Sequence, residues 1–205
     1  MDFSQRIIST AIKLFKKFGV RSVTMDQIAA EAGASKRTIY ETFKDKSDLL
    51  AACLQVHEDE IIAFHEMLIK DSVNIIDAMF KVAEFHIASI ENTNPLFLLD
   101  IQKFYPNLWD ENMRRISHNK LHEIRRFLEI GQKQKLIRSE INLDLACRII
   151  HQLSTMAMSP DILNNSKYNG DEVFNNTIIN YLRGITTEQG TQLLLSHNLV
   201  CNKKS

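Results

Sequence analysis

Glycine and proline are scarce in this 205-residue chain, at six and three residues. That scarcity argues against a turn-dense all-β fold and against collagen-like or disordered low-complexity chains. Strict apolar–polar alternation is also hard to find, so no sheet is expected. Formal charge is missing too: 25 basic residues balance 25 acidic ones, and the whole-chain balance points to neither nucleic acid nor membrane. The three cysteines, Cys53, Cys147 and Cys201, are odd in number and far apart. They fit neither a disulfide framework nor a zinc spacing, and the first two, in apolar helical contexts, read as buried thiols. No apolar run approaches ~18 residues, and the opening MDFSQR lacks a basic-then-apolar signal. A reduced, cytoplasmic protein is therefore expected. Neither a Gly-rich phosphate loop, nor a nucleophile motif, nor a metal-ligand set appears, which argues against an enzyme and against any cofactor.

What is present is helix. Ala, Leu, Ile, Lys, Glu and Gln dominate, and apolar residues recur at helical spacing. The pattern predicts helices over Phe3–Phe18, Met25–Ala32, Lys36–Phe43, a long stretch from Leu49 to Leu68, Val73–Ile90, Leu108–Lys135, Leu143–Met158 and Asp171–Ile185. Pro95 and Pro106 bracket a further short apolar piece, and a polar link, SPDILNNSKYNG, joins the last two helices. The prediction is an all-α protein of about nine helices. Charge is unevenly placed: residues 1–50 hold nine Lys or Arg against six Asp or Glu. The excess of three suggests a basic module on a mildly acidic body, an N-terminal domain over 1–46 and a helical domain over 47–205.

The segment MDQIAAEAGASKRTIYETFKDK, residues 25–46, is amphipathic yet broken at Ala-Gly-Ala-Ser. One reading is a surface loop between core helices; the other is a helix-turn-helix. The second requires several features at once, and one register supplies them all. Thr24 can cap a helix with Gln27 completing the capping box, and Val23 can staple onto Ile28. Ala29 is small enough for two helices to cross, and Gly33 suits a left-handed turn. Ser35 caps the next helix, with Ala34 and Ile39 at staple spacing. Ile28, Ala32, Ile39 and Phe43 can pin both helices onto the first. That leaves Lys36, Arg37, Thr38 and Tyr40 outward, donors suited to base edges and phosphates in a major groove.

Gly19, Thr24, Ile28-Ala29, Ala32-Gly33-Ala34-Ser35, Tyr40, Phe43 and Lys46 resemble the N-terminal domain of the TetR family of transcriptional regulators. Ala34 stands where Val is common in that family, and Arg37 where Gly is frequent. The resemblance implies a dimeric DNA-binding regulator, most often a repressor, that binds a near-palindromic site of double-stranded DNA and responds to a small-molecule effector. It implies that Thr24, Tyr40 and Lys46 contact phosphates and that Ser35, Lys36, Arg37 and Thr38 lie at or near base edges. For Arg37 a bidentate contact to guanine and a phosphate contact stand level. A ligand-independent architectural or division-linked DNA binder of the same fold is the alternative.

The family resemblance also implies a dimer built on the last two large helices. Leu143, Ala146, Ile149, Ile150, Leu153 and Ala157 form one candidate stripe, and Phe174, Ile178, Tyr181, Leu182 and Ile185 its partner; such stripes can equally pack inside one protomer. A ligand pocket in the middle helices would draw on Phe64, Met79, Phe80, Phe85, Phe97, Phe104, Trp109, Phe127 and Met156, which as a group favour an apolar effector. His118 and His122 share a helix face but lack a third ligand, so no metal is expected. His57, His65, His86 and His151 read as packing or surface residues.

Overall fold

The computed structural model describes residues 2–157, 162, 168 and 170–197. Met158, Cys201 and most of the polar 159–170 link lie outside the described residues. Helices run α1 (Phe3–Phe18), α2 (Met25–Glu31), α3 (Lys36–Thr42), α4 (Lys46–Asp71), α5 (Ile75–Glu91), α6 (Leu96–Phe104), α7 (Pro106–Lys133) and α8 (Leu143–Ala157). They continue as α9 (Gly170–Phe174), a π-helical turn (Asn175–Ile179), α10 (Asn180–Ile185) and α11 (Glu188–Ser196). Among the described residues the only extended pairing is an isolated bridge between Ile137 and Thr186. The fold is all-α, as the periodicity predicts. The piece between Pro95 and Pro106 forms α6, and α11 is a helix for which no clear pattern was expected.

The chain divides into two compact units, Met1–Phe64 with Ser89–Ile116, and His65–Ala88 with Ser117–Ser205. This division does not fall at residue 46. Leu49, Leu50, Cys53 and Leu54 of α4, together with Phe97 and Ile101 of α6, are buried in the same core as α1, α2 and α3. A single α4 side supplies that core because those residues repeat at helical spacing.

In the first unit, Asp2 caps α1 and pairs with Gln5 in a capping box, and Ile7, Ile8, Ala11 and Phe15 make its buried stripe. The far end of α1 is tied to the segment before α6. Asn94 donates its backbone N–H to the Lys16 carbonyl at 2.9 Å and its side-chain amide to the Lys17 carbonyl at 3.1 Å. The Arg21 N–H donates to Asp100 Oδ2 at 2.7 Å. Carbonyls left over at a helix C-terminus are thus satisfied by a distant part of the chain.

The second unit has its own core. Ile75, Ile76 and Phe80 of α5, Phe127 and Leu128 of α7, Cys147 and Ile150 of α8, and Leu182 and Leu194 nearer the C-terminus all belong to it. After α7 the chain turns through Lys135, at φ 59°, and Leu136 and Ile137 both donate backbone N–H groups to the Gly131 carbonyl. Thr187 closes onto Leu136 and caps α11. At Gly190 a Cβ would sit 2.2 Å from the Leu136 carbonyl oxygen, so this approach admits only glycine.

Candidate nucleic-acid interface

Thr24 opens α2. Its hydroxyl accepts from the Gln27 N–H at 3.2 Å, and Gln27 Oε1 accepts from the Thr24 N–H at 2.8 Å. The helix ends at Ala32, and Gly33 follows at φ 61°. Gly33 donates to the Ala30 carbonyl at 3.2 Å and Ala34 to that of Ala29 at 2.9 Å. Those two bonds form a Schellman closure, which needs its left-handed residue at the glycine position. Ser35 then starts α3, its hydroxyl accepting from the Thr38 N–H at 3.1 Å. Within α3 the buried residue is Ile39, with Phe43 buried at its end. Both join Ile28, Ala29 and Ala32 in the first unit's core.

With Ile39 inward, Lys36, Arg37, Tyr40, Glu41 and Thr42 are exposed, Tyr40 at 45%. Ser35 is exposed as well, and Thr38 is half-buried beside it. Five of the seven expected DNA-contacting residues therefore lie on this exposed helix or at its N-cap, and a sixth, Thr24, is exposed at the start of α2.

Lys46 differs. Its ammonium donates to the Val23 carbonyl and lies 5.9 Å from the Phe15 ring centroid. Burial lowers its pKa, partly offset by Asp100. The start of α4 is also occupied: the Asp48 N–H donates to Asp45 Oδ1 at 2.9 Å, and the Lys44 N–H to Asp48 Oδ2 at 3.0 Å. Carboxylates thus take backbone donors that an incoming phosphate would use. Lys44, which sequence reasoning passed over, is exposed just after α3. Its position two residues from Lys46 was the available signal. Two acids pair with the cations at the start of α3. Lys36 Nζ is 2.8 Å from Asp26 Oδ1, and Arg37 Nε is 2.8 Å from Glu41 Oε1.

The nine pocket candidates divide between the two compact units. Phe64, Phe97, Phe104 and Trp109 belong to the first unit; Met79, Phe80, Phe85, Phe127 and Met156 belong to the second. Phe97 is buried in the core shared with α1–α3, Trp109 packs against that core, and Phe104 is 42% exposed with the Arg21 guanidinium over its ring. Phe80 and Phe127 are buried in the second core, and Met79 packs against it. Met156 is exposed. The second unit also holds a polar cluster. His65, 3% exposed, directs Nδ1 at Glu123 Oε1, and Lys120 Nζ lies 3.3 Å from Glu123 Oε2. His86 and Phe85 pack edge-on to the His65 ring, at centroid distances of 4.9 and 5.9 Å. Nε2 of His65 and Nε2 of His86 are buried without a hydrogen-bond partner. Burial, then Lys120 and His65, push the His86 pKa down to about 3. Burial raises the Glu123 carboxyl, yet the His65 hydrogen bond and the Lys120 charge outweigh it and hold it below its usual range. His118 and His122 are exposed.

Of the interface candidates, Ala146, Ile150, Ile178, Leu182 and Ile185 are buried in the second unit's own core. Leu143, Leu153, Phe174 and Tyr181 pack against that core partly buried, and Ala157 is half-buried. These five pack inside one protomer, the other of the two readings left open, and helical spacing alone does not say which of two apolar faces turns inward. The outward face of α8 carries Leu145, Ile149 and Met156, 58%, 42% and 47% exposed.

An exposed donor row on a short helix, set by a capped and glycine-closed turn, defines an all-α helix-turn-helix protein. Residues 7–53 match the sequence model of the bacterial regulatory proteins of the tetR family. An HTH-type transcriptional regulator of Staphylococcus aureus strain USA300 is 34% identical over 98 residues, 48% of this chain and 52% of that protein. Another, from strain MRSA252, is 43% identical over 67 residues, 33% of this chain and 36% of its own length. The chain spans about half the length of the first of these curated relatives. A transcriptional regulator from Cytophaga hutchinsonii superposes with a TM-score of 0.73 at 16% identity, covering 89% of this chain and 98% of that one. A TetR-family regulator from Mesorhizobium loti gives 0.65 at 19% identity, covering 90% and 96%. These two likenesses are of fold. Residues 7–53 are thus similar to the N-terminal domain of the TetR family.

Proposed function

We propose that the protein is a cytoplasmic, dimeric transcriptional repressor that binds a near-palindromic operator through α3 and is released by a small-molecule effector. The observation that carries DNA binding is the row of Ser35, Lys36, Arg37, Thr38 and Tyr40 along α3, outward over a buried Ile39. Hydroxyl and cationic donors on a short exposed helix match the base edges and phosphates of a major groove. Thr24 and Tyr40 serve as phosphate contacts, and Lys44 adds an exposed cation. Lys46 supports the head from inside by holding the Val23 carbonyl.

One such head offers few contacts, so affinity calls for two heads on symmetric half-sites. The outward Leu145, Ile149 and Met156 face of α8 supports pairing there. In the effector's place the second unit offers a polar anchor among apolar walls: two buried imidazole nitrogens without partners, beside Phe85. The effector we infer therefore carries a hydrogen-bonding group on an otherwise apolar body, a refinement of the purely apolar ligand expected above.

The test is a gel shift on DNA upstream of the protein's own gene, across a salt series, followed by a screen for compounds that release it. About 6–10 phosphate contacts would cost ~10³–10⁵ in affinity between ~50 and ~200 mM salt. A flat salt response, or binding that persists as a monomer on one half-site, would sink the proposal.

A further inference from the structure

Lys36 and Arg37 stand side by side at the start of α3, and each is held by a carboxylate, but in different ways. Lys36 Nζ lies 2.8 and 3.0 Å from the two carboxylate oxygens of Asp26 on α2. An ammonium is a compact point charge with three rotatable donors, so even in this bridge it presents charge rather than a planar fork. Arg37 meets Glu41, one turn further along α3, through Nε alone, at 2.8 Å. The guanidinium is a planar fork with five N–H donors. A carboxylate on Nε leaves the two terminal nitrogens side by side, on a side chain that is 88% exposed. Those nitrogens form the parallel donor pair that matches O6 and N7 of guanine. Holding Nε also restrains the last torsions of a long side chain, which lowers the ordering cost when the fork meets a base.

We infer that Glu41 is a positioning residue that aims the Arg37 fork at one guanine per half-site, while Lys36, braced by Asp26, supplies charge without base choice. This rests on α3 entering the major groove, as proposed above. A carboxylate near DNA also repels phosphates. Removing Glu41 therefore acts in two opposite ways: unmatched DNA is bound no worse or better, and the preference for guanine falls.

The experiment is selected-site sequencing with the full-length protein, followed by affinity measurements on the selected site and on the same site with that guanine replaced. The variants are Glu41→Gln, Arg37→Lys, Arg37→Ala and Arg37→Ala with Glu41→Gln. All these side chains are exposed, and circular dichroism checks that each variant folds. Wild type should favour the guanine by roughly 5–150-fold, the range of one bidentate pair. Arg37→Lys keeps the charge but loses the fork, and should lose that preference. Glu41→Gln should cut the preference several-fold without weakening binding to unmatched DNA. In the Arg37→Ala background, Glu41→Gln should leave base choice unchanged. If Glu41→Gln raises matched and unmatched binding by one common factor, Glu41 is only a repelling charge and the inference fails. It fails equally if Arg37→Lys retains the wild-type motif, since Arg37 then contacts phosphate. If wild type selects no motif at all, the DNA-reading function falls with it.

Discussion

Replacing Ile39 tests how the recognition helix is held. α3 has seven residues, and Ile39, fully buried, is its inward anchor, followed by Phe43 at the helix end. A helix this short is not stable by itself in water, because few hydrogen bonds are formed for the torsions fixed. Its position must come from packing. Trimming Ile39 to Val removes one methylene and should cost about 0.5–1.5 kcal/mol, whereas Ile39→Ala removes more and leaves a cavity, costing about 2–5 kcal/mol. At ~1.4 kcal/mol per tenfold, the alanine variant shifts the folding equilibrium by at least ~25-fold. Urea unfolding followed by circular dichroism gives the stability change. Hydrogen exchange over residues 35–43 shows whether α3 opens before the rest of its unit. DNA affinity, measured where both variants remain mostly folded, should fall in the order wild type, Val, Ala. If Ile39→Ala costs less than ~1 kcal/mol and leaves both α3 protection and DNA affinity intact, the claim that this side chain positions the helix is wrong.

Leu145→Glu with Ile149→Glu places charges on the outward face of α8 and should convert a dimer to a monomer while helicity is retained; sedimentation velocity decides, and an unaltered dimer removes that face from the interface. Lys44→Ala should reduce the slope of log affinity against log salt by about one, the mark of a lost phosphate contact. Lys46→Ala should instead lower stability and leave that slope unchanged, because its ammonium is bound to Val23; equal slope changes would contradict the assignment. His57 is held down to about 4 by burial and then Lys16, and His86 down to about 3. Both are depressed bases, so below about 6.5 the unfolded chain binds protons that the folded chain refuses. Stability should be full above that pH and fall as pH drops toward about 4, seen as a declining urea midpoint. His57→Gln combined with His86→Phe should flatten the decline, and an equally steep one in the double variant would refute the assignment.

Much of the head was legible in sequence because its signals are local. Thr24 with Gln27, Gly33 and Ser35 each act through the backbone of residues one to five positions away, and the structure shows their bonds. Ile28, Ile39 and Phe43 were legible as core because a short amphipathic helix has one apolar side. The body was less readable. α8 is apolar on two sides, so the stripe through Ala146 and Ile150 and the one through Leu145 and Ile149 have equal standing in sequence. Phe97 and Phe104 share an apolar context, yet one is buried and the other carries Arg21 over its ring. His65 looks like any other histidine until Glu123, 58 positions later, comes to its side.

Local chemistry, then, was enough to establish an all-α chain and a helix-turn-helix with its donors on one helix, since capping, left-handed turns and helical periodicity operate within a few residues. Long-range packing settled the rest. It joined α4 and α6 to the head, turned the ammonium of Lys46 inward, chose which face of α8 is exposed, and set Asp26 beside Lys36. Each of those depends on residues far apart in sequence meeting in space, where burial and charge pairing, rather than spacing, determine what a side chain does.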